Sequence, residues 1–104
     1  MTLVPTANPA VSNNTAQLRY EIRHGDDVAG VAFYAVSGNT VVFTHTEIRE
    51  AYEGQGLGSH LAKAALDDVR QRHQTVRALC PFIAAYIERH PEYADLTEGP
   101  EPTD

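Results

Sequence analysis

The sequence predicts an α+β fold for a single domain of 104 residues. Three stretches near the amino end have the alternation or composition of strands, and short turn signals separate them. A helical pattern, a short fourth strand and a second helical pattern follow. Because short turns join antiparallel neighbours, the first three strands are predicted to form an antiparallel meander, which the first helix connects to the fourth strand.

The first two strands are predicted from alternation and from composition. Residues 17–23 read QLRYEIR, in which apolar and polar side chains alternate with the period of a half-buried strand. Residues 28–36 read VAGVAFYAV and are rich in the β-branched and aromatic side chains that favour strands. The turn sequences HGDD and SGNT follow the two strands, so each strand is predicted to end in a tight turn.

The third strand, residues 41–48, carries two candidate catalytic side chains. If it alternates without interruption, one face consists of Val41, Phe43, His45 and Glu47. His45 and Glu47 would then lie close enough to act on one substrate, and either could be a general base, directly or through a water molecule. The alternative is that both are exposed strand residues without a role in chemistry.

Two helices and a fourth strand complete the predicted fold. Residues 57–72 carry apolar side chains at helical spacing. The apolar side of this pattern consists of Leu57, Leu61, Ala65 and Val69. Residues 75–79 form a short strand that ends before Pro81, and residues 82–90 form the second helix.

Composition separates a folded middle from two polar ends. Residues 1–16 are rich in Pro, Asn, Thr and Ser, and residues 97–104 read TEGPEPTD, so both ends are predicted to be disordered tails. The folded domain is predicted to span residues 17–96. A core of this size is near the lower limit for independent stability, and we expect a monomer or a weak homodimer.

Charge and cysteine content exclude several functions. The formal net charge of −6 disfavours nucleic-acid binding and suits a cationic substrate such as an amine. No apolar run approaches the roughly 20 residues that span a bilayer, and no secretory signal is recognisable, so no membrane association is expected. Cys80 is the only cysteine, which is typical of a cytoplasmic protein. The histidines lack metal-ligand spacing, so no metal is expected.

Three alternating glycines precede the main helix, at Gly54, Gly56 and Gly58. They either form a tight turn or expose backbone amides to an anion at the helix amino end. A Walker phosphate loop requires Gly-Lys-Ser/Thr, which is absent here. A dinucleotide fingerprint requires a later glycine, whose position Ser59 occupies, and a parallel sheet that the meander does not provide.

The glycine loop occurs between THTEI upstream and CPF and RHPEY downstream. Together these segments resemble the small single-domain members of the GNAT N-acetyltransferase superfamily over residues 18–96. The resemblance implies a GNAT-like α+β fold, with a three-stranded antiparallel meander, a glycine loop and main helix, a splayed fourth strand and a C-terminal helix. It also implies that acetyl-CoA is the cosubstrate and that the loop amides hold its pyrophosphate.

The resemblance implies which residues contact the coenzyme. In the superfamily motif Gln/Arg-x-x-Gly-x-Gly/Ala the first position falls on Glu53, a departure that places one phosphate contact in doubt. The splayed strand edge would pair with the pantetheine arm of the coenzyme. The implied coenzyme-binding residues are Thr46, Ile48, Glu53, Gly54, Gln55, Gly56, Leu57, Gly58, Ser59 and His60.

The chemistry implied by the resemblance is acetyl transfer to an amine acceptor. Transfer is either direct or passes through Cys80 with His45 in support, and the alternative for Cys80 is a small buried residue. The acceptor would be an amine-bearing small molecule, or a lysine or the amino terminus of a protein. The competing hypotheses are a non-catalytic acetyl-CoA-binding sensor or interaction module, and a scaffold without a ligand.

Overall fold

Five strands form one mixed sheet in the order β1-β2-β3-β4-β5 in the computed structural model, which describes residues 10–98. The strands are β1 (Ala10–Asn14), β2 (Arg19–His24), β3 (Asp27–Ser37), β4 (Thr40–Ile48) and β5 (Thr75–Ala78). Strands β1 to β4 pair antiparallel, whereas β5 pairs parallel with β4. The predicted α+β class, the antiparallel meander and the added strand beside it are therefore confirmed.

Helices connect and flank the last two strands. The helical elements are α1 (Leu57–Gln71), α2 (Pro81–Arg89) and the 3₁₀ segments Glu50–Tyr52 and Pro91–Glu98. Helix α1 is the crossover between the parallel strands β4 and β5, and Pro81 occupies the first turn of α2, where its missing N–H has no cost. Within residues 10–98, neither helix combines the length and apolar character that crossing a membrane requires.

One hydrophobic core lies between the sheet and the helices. The predicted apolar stripe of α1 is confirmed, since Leu57, Leu61, Ala65 and Val69 are all buried. The sheet contributes aromatic and branched side chains to this core, among them the fully buried Phe43 and Ile22. Burial of these apolar groups holds α1 against the strands and fixes where its amino end lies.

Strand β1 shows that the predicted disordered tail, residues 1–16, extends too far into the chain. Residues 10–14 pair antiparallel with β2 as an edge strand, and Tyr34 Oη donates a hydrogen bond of 2.6 Å to Asn13 Oδ1. Residues 97 and 98, assigned to the other tail, end the segment Pro91–Glu98. The remaining predicted tail positions, 1–9 and 99–104, lie outside the described residues.

A β-bulge interrupts β4 immediately after Phe43. Tyr34 lies opposite Phe43 and Phe33 lies opposite His45, so Thr44 has no residue opposite to it. One additional residue on a strand shifts the register, and because side chains alternate, the shift exchanges the faces of all later side chains.

The bulge makes the predicted face of His45 and Glu47 wrong. After the bulge, Thr46 and Ile48 lie on the same face of the sheet as the buried residues of β4, the face that packs against the helices, and both are half-buried. His45 and Glu47 point from the opposite face of the sheet, and their side chains are 58% and 61% exposed. Uniform alternation would have placed them with the core residues of the same strand.

Candidate functional site

A cavity of about 390 Å³ lies where β4 ends and α1 begins. Its lining consists of Thr46, Ile48, Tyr52, Glu53, Gly54, Gly56, Leu57, Gly58, Ser59 and Phe82. The volume is in the range of small-molecule sites. All the predicted coenzyme-binding residues line this cavity except Gln55 and His60, which are exposed beside it.

The three loop glycines serve two different structural purposes. Gly54 and Gly56 have φ angles of +84° and +76°. In this left-handed region the backbone of any residue with a Cβ atom is strained, whereas that of glycine is not. Gly58 is inside α1, and a Cβ atom there would lie 2.8 Å from Cζ of Phe82. Two glycines therefore shape the turn, and the third allows a close approach between the two helices.

The amino end of α1 has backbone donors without side-chain acceptors. Its N-cap is Gly56, and no side chain caps the helix. The first hydrogen bond within the helix is donated by His60 N to Gly56 O at 3.2 Å. The backbone N–H groups of Leu57, Gly58 and Ser59 come before it and have no acceptor within the helix. These residues line the cavity, and together with the positive end of the helix dipole they form a favourable environment for an anion.

Strands β4 and β5 separate beside the cavity. Their pairing ends at Phe43 opposite Ala78. Phe43 O then accepts hydrogen bonds of 3.0 Å from the backbone N–H groups of Leu79 and Cys80, after which the chain turns into α2. The remainder of β4 therefore has an edge that β5 does not cover.

Strand alternation identifies the backbone groups on this open edge. Arg49 N donates a hydrogen bond of 2.8 Å to Ala29 O, so Glu47, two residues earlier, also directs its backbone groups toward β3. The backbone N–H and C=O groups of Thr46 and Ile48 consequently point toward the open edge. Both residues line the cavity, and an extended ligand could pair with them there.

Cys80 lies directly before α2 and is only 2% exposed. Its Sγ atom is 3.2 Å from Thr46 Oγ1, and Thr46 also lines the cavity. Burial agrees with the simpler alternative for this cysteine, a small core residue, while the contact with Thr46 places the sulfur one side chain away from the cavity. His45, the predicted supporting histidine, points from the other face of the sheet.

His45 and Glu47 form a pair on that other face. His45 Nε2 is 2.9 Å from Glu47 Oε2, and the imidazole stacks on the ring of Phe33 at an interplanar angle of 13°. The three predicted catalytic residues are thus divided between the two faces of β4, with Cys80 on the helix side. Among residues 10–98, no group of three or more His, Cys, Asp or Glu side chains is arranged to hold a metal ion.

The sequence model of the family described as GCN5-related N-acetyl-transferase matches residues 19–96, three quarters of the chain. The chain belongs to this family. The match covers every residue of the cavity and all three candidate catalytic residues, and it confirms the resemblance to N-acetyltransferases that the sequence indicated.

Two named relatives and one solved structure agree with membership of the GCN5-related family. Protein NATD1 of Mus musculus is 32% identical over 83 residues, 78% of this chain and 76% of that protein. Protein NATD1 of Homo sapiens is also 32% identical over 83 residues, 78% of this chain and 74% of that protein. A GCN5-like protein from Staphylococcus aureus, solved by NMR, is similar with a TM-score of 0.67 and 23% identity over 93% of this chain and 95% of its own, a likeness that shows the fold.

Two lining residues of this GCN5-related domain were not predicted as site residues. Phe82 belongs to the CPF segment, part of the resemblance to N-acetyltransferases, and this segment is the sequence signal that could have identified it as a site residue. Tyr52 precedes the glycine loop, and its Oη donates a hydrogen bond of 2.8 Å to Asp27 Oδ2. That hydrogen bond, with partial desolvation and the charge of Asp27, raises the pKa of Tyr52.

Proposed function

We propose that the protein transfers the acetyl group of acetyl-CoA to an amine. The observation that carries this proposal is the single cavity in which the uncapped amino end of α1 meets the open edge of β4. The amides of Leu57, Gly58 and Ser59 would bind the pyrophosphate. The backbone groups of Thr46 and Ile48 would pair with the amide groups of the pantetheine arm and direct the thioester toward the gap between the strands.

In direct transfer, the acceptor amine reaches the thioester from the face of the sheet that carries His45 and Glu47. The amine nitrogen attacks the carbonyl carbon, a C–N bond forms, the C–S bond breaks and coenzyme A leaves as its thiolate, which takes a proton from solvent. The proton lost by the amine passes to the His45–Glu47 pair, in which the carboxylate orients the imidazole at 2.9 Å. Both side chains are exposed and thus accessible to an incoming amine.

In the alternative two-step route, the sulfur of Cys80 attacks the thioester carbonyl first. An acetyl–sulfur bond forms on Cys80, and coenzyme A leaves as its thiol after receiving the proton of Cys80. The amine then attacks the acetylated cysteine, which regains its thiol as the amide forms. The contact of 3.2 Å between Sγ and Thr46 Oγ1 at the cavity wall supports this route, whereas the burial of the sulfur opposes it.

A non-catalytic acetyl-CoA-binding module is the second candidate function. It is favoured by the burial of Cys80 and by the placement of His45 and Glu47 on the opposite face of the sheet, which keeps the three candidate catalytic side chains from forming one cluster. Glu53, at the motif position where the superfamily has Gln or Arg, lines the cavity, and its negative charge near a phosphate site would weaken coenzyme binding for either function. For either function we expect a monomer or weak homodimer in the cytosol. As an enzyme it would use an amine-bearing small molecule, a protein lysine or a protein amino terminus as acceptor.

Intact-protein mass spectrometry after incubation with acetyl-CoA tests these alternatives, with wild type beside Cys80→Ala. Coenzyme bound under native conditions supports the cavity assignment, and its absence from both proteins contradicts it. An acetyl group that survives denaturation on wild type but not on Cys80→Ala identifies the two-step route. Release of free coenzyme A on adding candidate amines separates an enzyme from a binding module, because only an enzyme consumes the thioester.

A further inference from the structure

Phe82 is an aromatic side chain in the first turn of α2, and it remains 37% exposed. It lines the cavity together with residues of β4 and α1. An exposed aromatic ring in a chain this small contributes less to the core than a buried one would. Its exposed surface is therefore available to contact a bound molecule.

The ring of Phe82 rests directly on the backbone of α1 at Gly58. A Cβ atom on Gly58 would lie 2.8, 3.4 and 3.6 Å from three atoms of the ring. Real Cβ atoms do not approach a carbon as closely as the first distance, so any other residue at this position would move the ring. The absence of a side chain at Gly58 thus determines how far the ring of Phe82 reaches over the start of α1.

We infer that Phe82 is a coenzyme-binding residue that covers the uncharged pantetheine arm, an inference that rests on the proposed function. The cavity that Phe82 lines also contains the first-turn residues of α1, suited to the pyrophosphate, and Thr46 beside Cys80, suited to the thioester. The pantetheine arm is the part of the coenzyme that joins those two groups, so it would run through this cavity. The apolar side chains of Ile48 and Leu57 line the same cavity and would add to its contacts.

The test compares two ligands that differ in the arm. Acetyl-CoA contains it, whereas 3′-phosphoadenosine 5′-diphosphate has the phosphates and adenosine alone. We expect Phe82→Ala to weaken acetyl-CoA binding by roughly tenfold in calorimetric titration, because part of an aromatic contact is lost, and to change binding of the shorter ligand by less than about twofold. Leu79→Ala is the matched control, since Leu79 is 59% exposed and does not line the cavity.

A second-site experiment tests the contact itself. Gly58→Ala should displace the ring and weaken acetyl-CoA binding, and the same substitution should weaken binding much less in Phe82→Ala, because the ring is already absent there. Fully additive losses in the double variant would overturn the role assigned to the ring contact.

The outcomes separate this inference from the proposed function. If wild type does not bind acetyl-CoA, the proposed function fails. If wild type binds and Phe82→Ala binds equally well, only the inference fails. An equal loss for both ligands would also overturn it, because the ring would then be supporting the phosphate loop and not the arm. Thermal unfolding of each variant shows whether the fold is retained.

Discussion

The two ends of α1 differ in how their polar groups are satisfied. At the carboxyl end, Tyr20 donates a hydrogen bond of 2.7 Å to Asp68, and Tyr93 donates one of 2.7 Å to Asp67. Further ion pairs bind the last turn to its surroundings. At the amino end, Gly56 provides no capping side chain, and the first turn contains no acidic residue.

This difference separates a structural end of the helix from the end at which the proposed anion would bind. An acidic side chain or a capping hydroxyl at the amino end would stabilise the helix by about 0.3–2 kcal/mol, and the sequence has neither. The carboxyl end, by contrast, has the basic Arg70 in its last turn, which complements the helix dipole. At the amino end of α1 the uncapped amides line a cavity, which is the expected arrangement if an anion supplies the missing acceptor.

Ser59→Glu should produce the largest effect and the clearest contrast between stability and binding. A carboxylate in the first turn of α1 complements the helix dipole and should raise the free energy of unfolding by about 0.3–1 kcal/mol. The same charge repels a pyrophosphate at the adjacent amides by about 1–4 kcal/mol, so coenzyme affinity should fall at least roughly fivefold.

Calorimetric titration and denaturant unfolding measure these two changes, with Ser59→Ala as the control that removes the hydroxyl without adding charge. The loss of affinity should shrink in high salt, which screens exposed charges. Unchanged affinity for acetyl-CoA in Ser59→Glu would contradict the assignment of the amino end as an anion site.

Tyr93→Phe should show the opposite behaviour at the carboxyl end. It removes the hydroxyl that donates a hydrogen bond to Asp67 Oδ1. The carboxylate of Asp67 then keeps only the hydrogen bond of 3.0 Å that Lys63 Nζ donates to its other oxygen. We expect the free energy of unfolding to fall by about 1–2 kcal/mol, while coenzyme affinity stays at the wild-type value. Asp95→Asn, which breaks an exposed pair, is a control expected to cost less than about 1 kcal/mol.

The pH dependence of stability provides a further measurement on Tyr93→Phe. Burial, together with the hydrogen bond to Asp67, raises the pKa of Tyr93 from its ordinary value of 10.0 to about 12. The raised pKa means that stability from this phenol is complete below pH 10.0 and is lost as pH rises toward about 12. Unfolding curves should therefore show a smaller alkaline loss for Tyr93→Phe than for wild type, and identical losses would exclude this role of Tyr93.

The backbone geometry at the amino end of α1 was predictable from the sequence because its constraints are local. Alternating glycines before a helical pattern indicate left-handed turns and exposed amides, and Gly54 and Gly56 have positive φ angles. The apolar stripe of α1 was also predictable, since helical spacing alone determines which side faces the core. The fourth strand after the helix was predicted as well, and its parallel pairing with β4 agrees with the crossover that α1 makes.

The faces of β4 were not predictable, because the bulge leaves no mark in the local sequence. The segment VVFTHTEI alternates as a regular strand would, and nothing distinguishes Thr44 from Thr46. The extra residue becomes evident only in the pairing with β3, where Tyr34 and Phe33 face Phe43 and His45. Sequence alternation therefore placed two candidate catalytic side chains on the wrong side of the sheet.

Strand β1 was missed for a different reason. Of its five residues, AVSNN, only Val11 has a large apolar side chain, and an edge strand buries little of its surface. Its stability comes from pairing with β2 and from contacts such as Tyr34 with Asn13, which join positions 21 residues apart. Composition alone assigns such a segment to a tail.

The smallest effect is expected at Gln55 and His60, the two predicted coenzyme-binding residues that do not line the cavity. Both are exposed, and the backbone N–H of His60 already donates to Gly56 O within α1. A solvent-exposed contact with a phosphate is worth about 0–1 kcal/mol, so Gln55→Ala and His60→Ala should each change coenzyme affinity by less than about fivefold. The same titrations that report on Ser59→Glu measure both variants. A tenfold loss in either one would show that the bound coenzyme extends beyond the cavity onto the exposed side of the loop, and the anion site would then include side chains as well as the first-turn amides of α1.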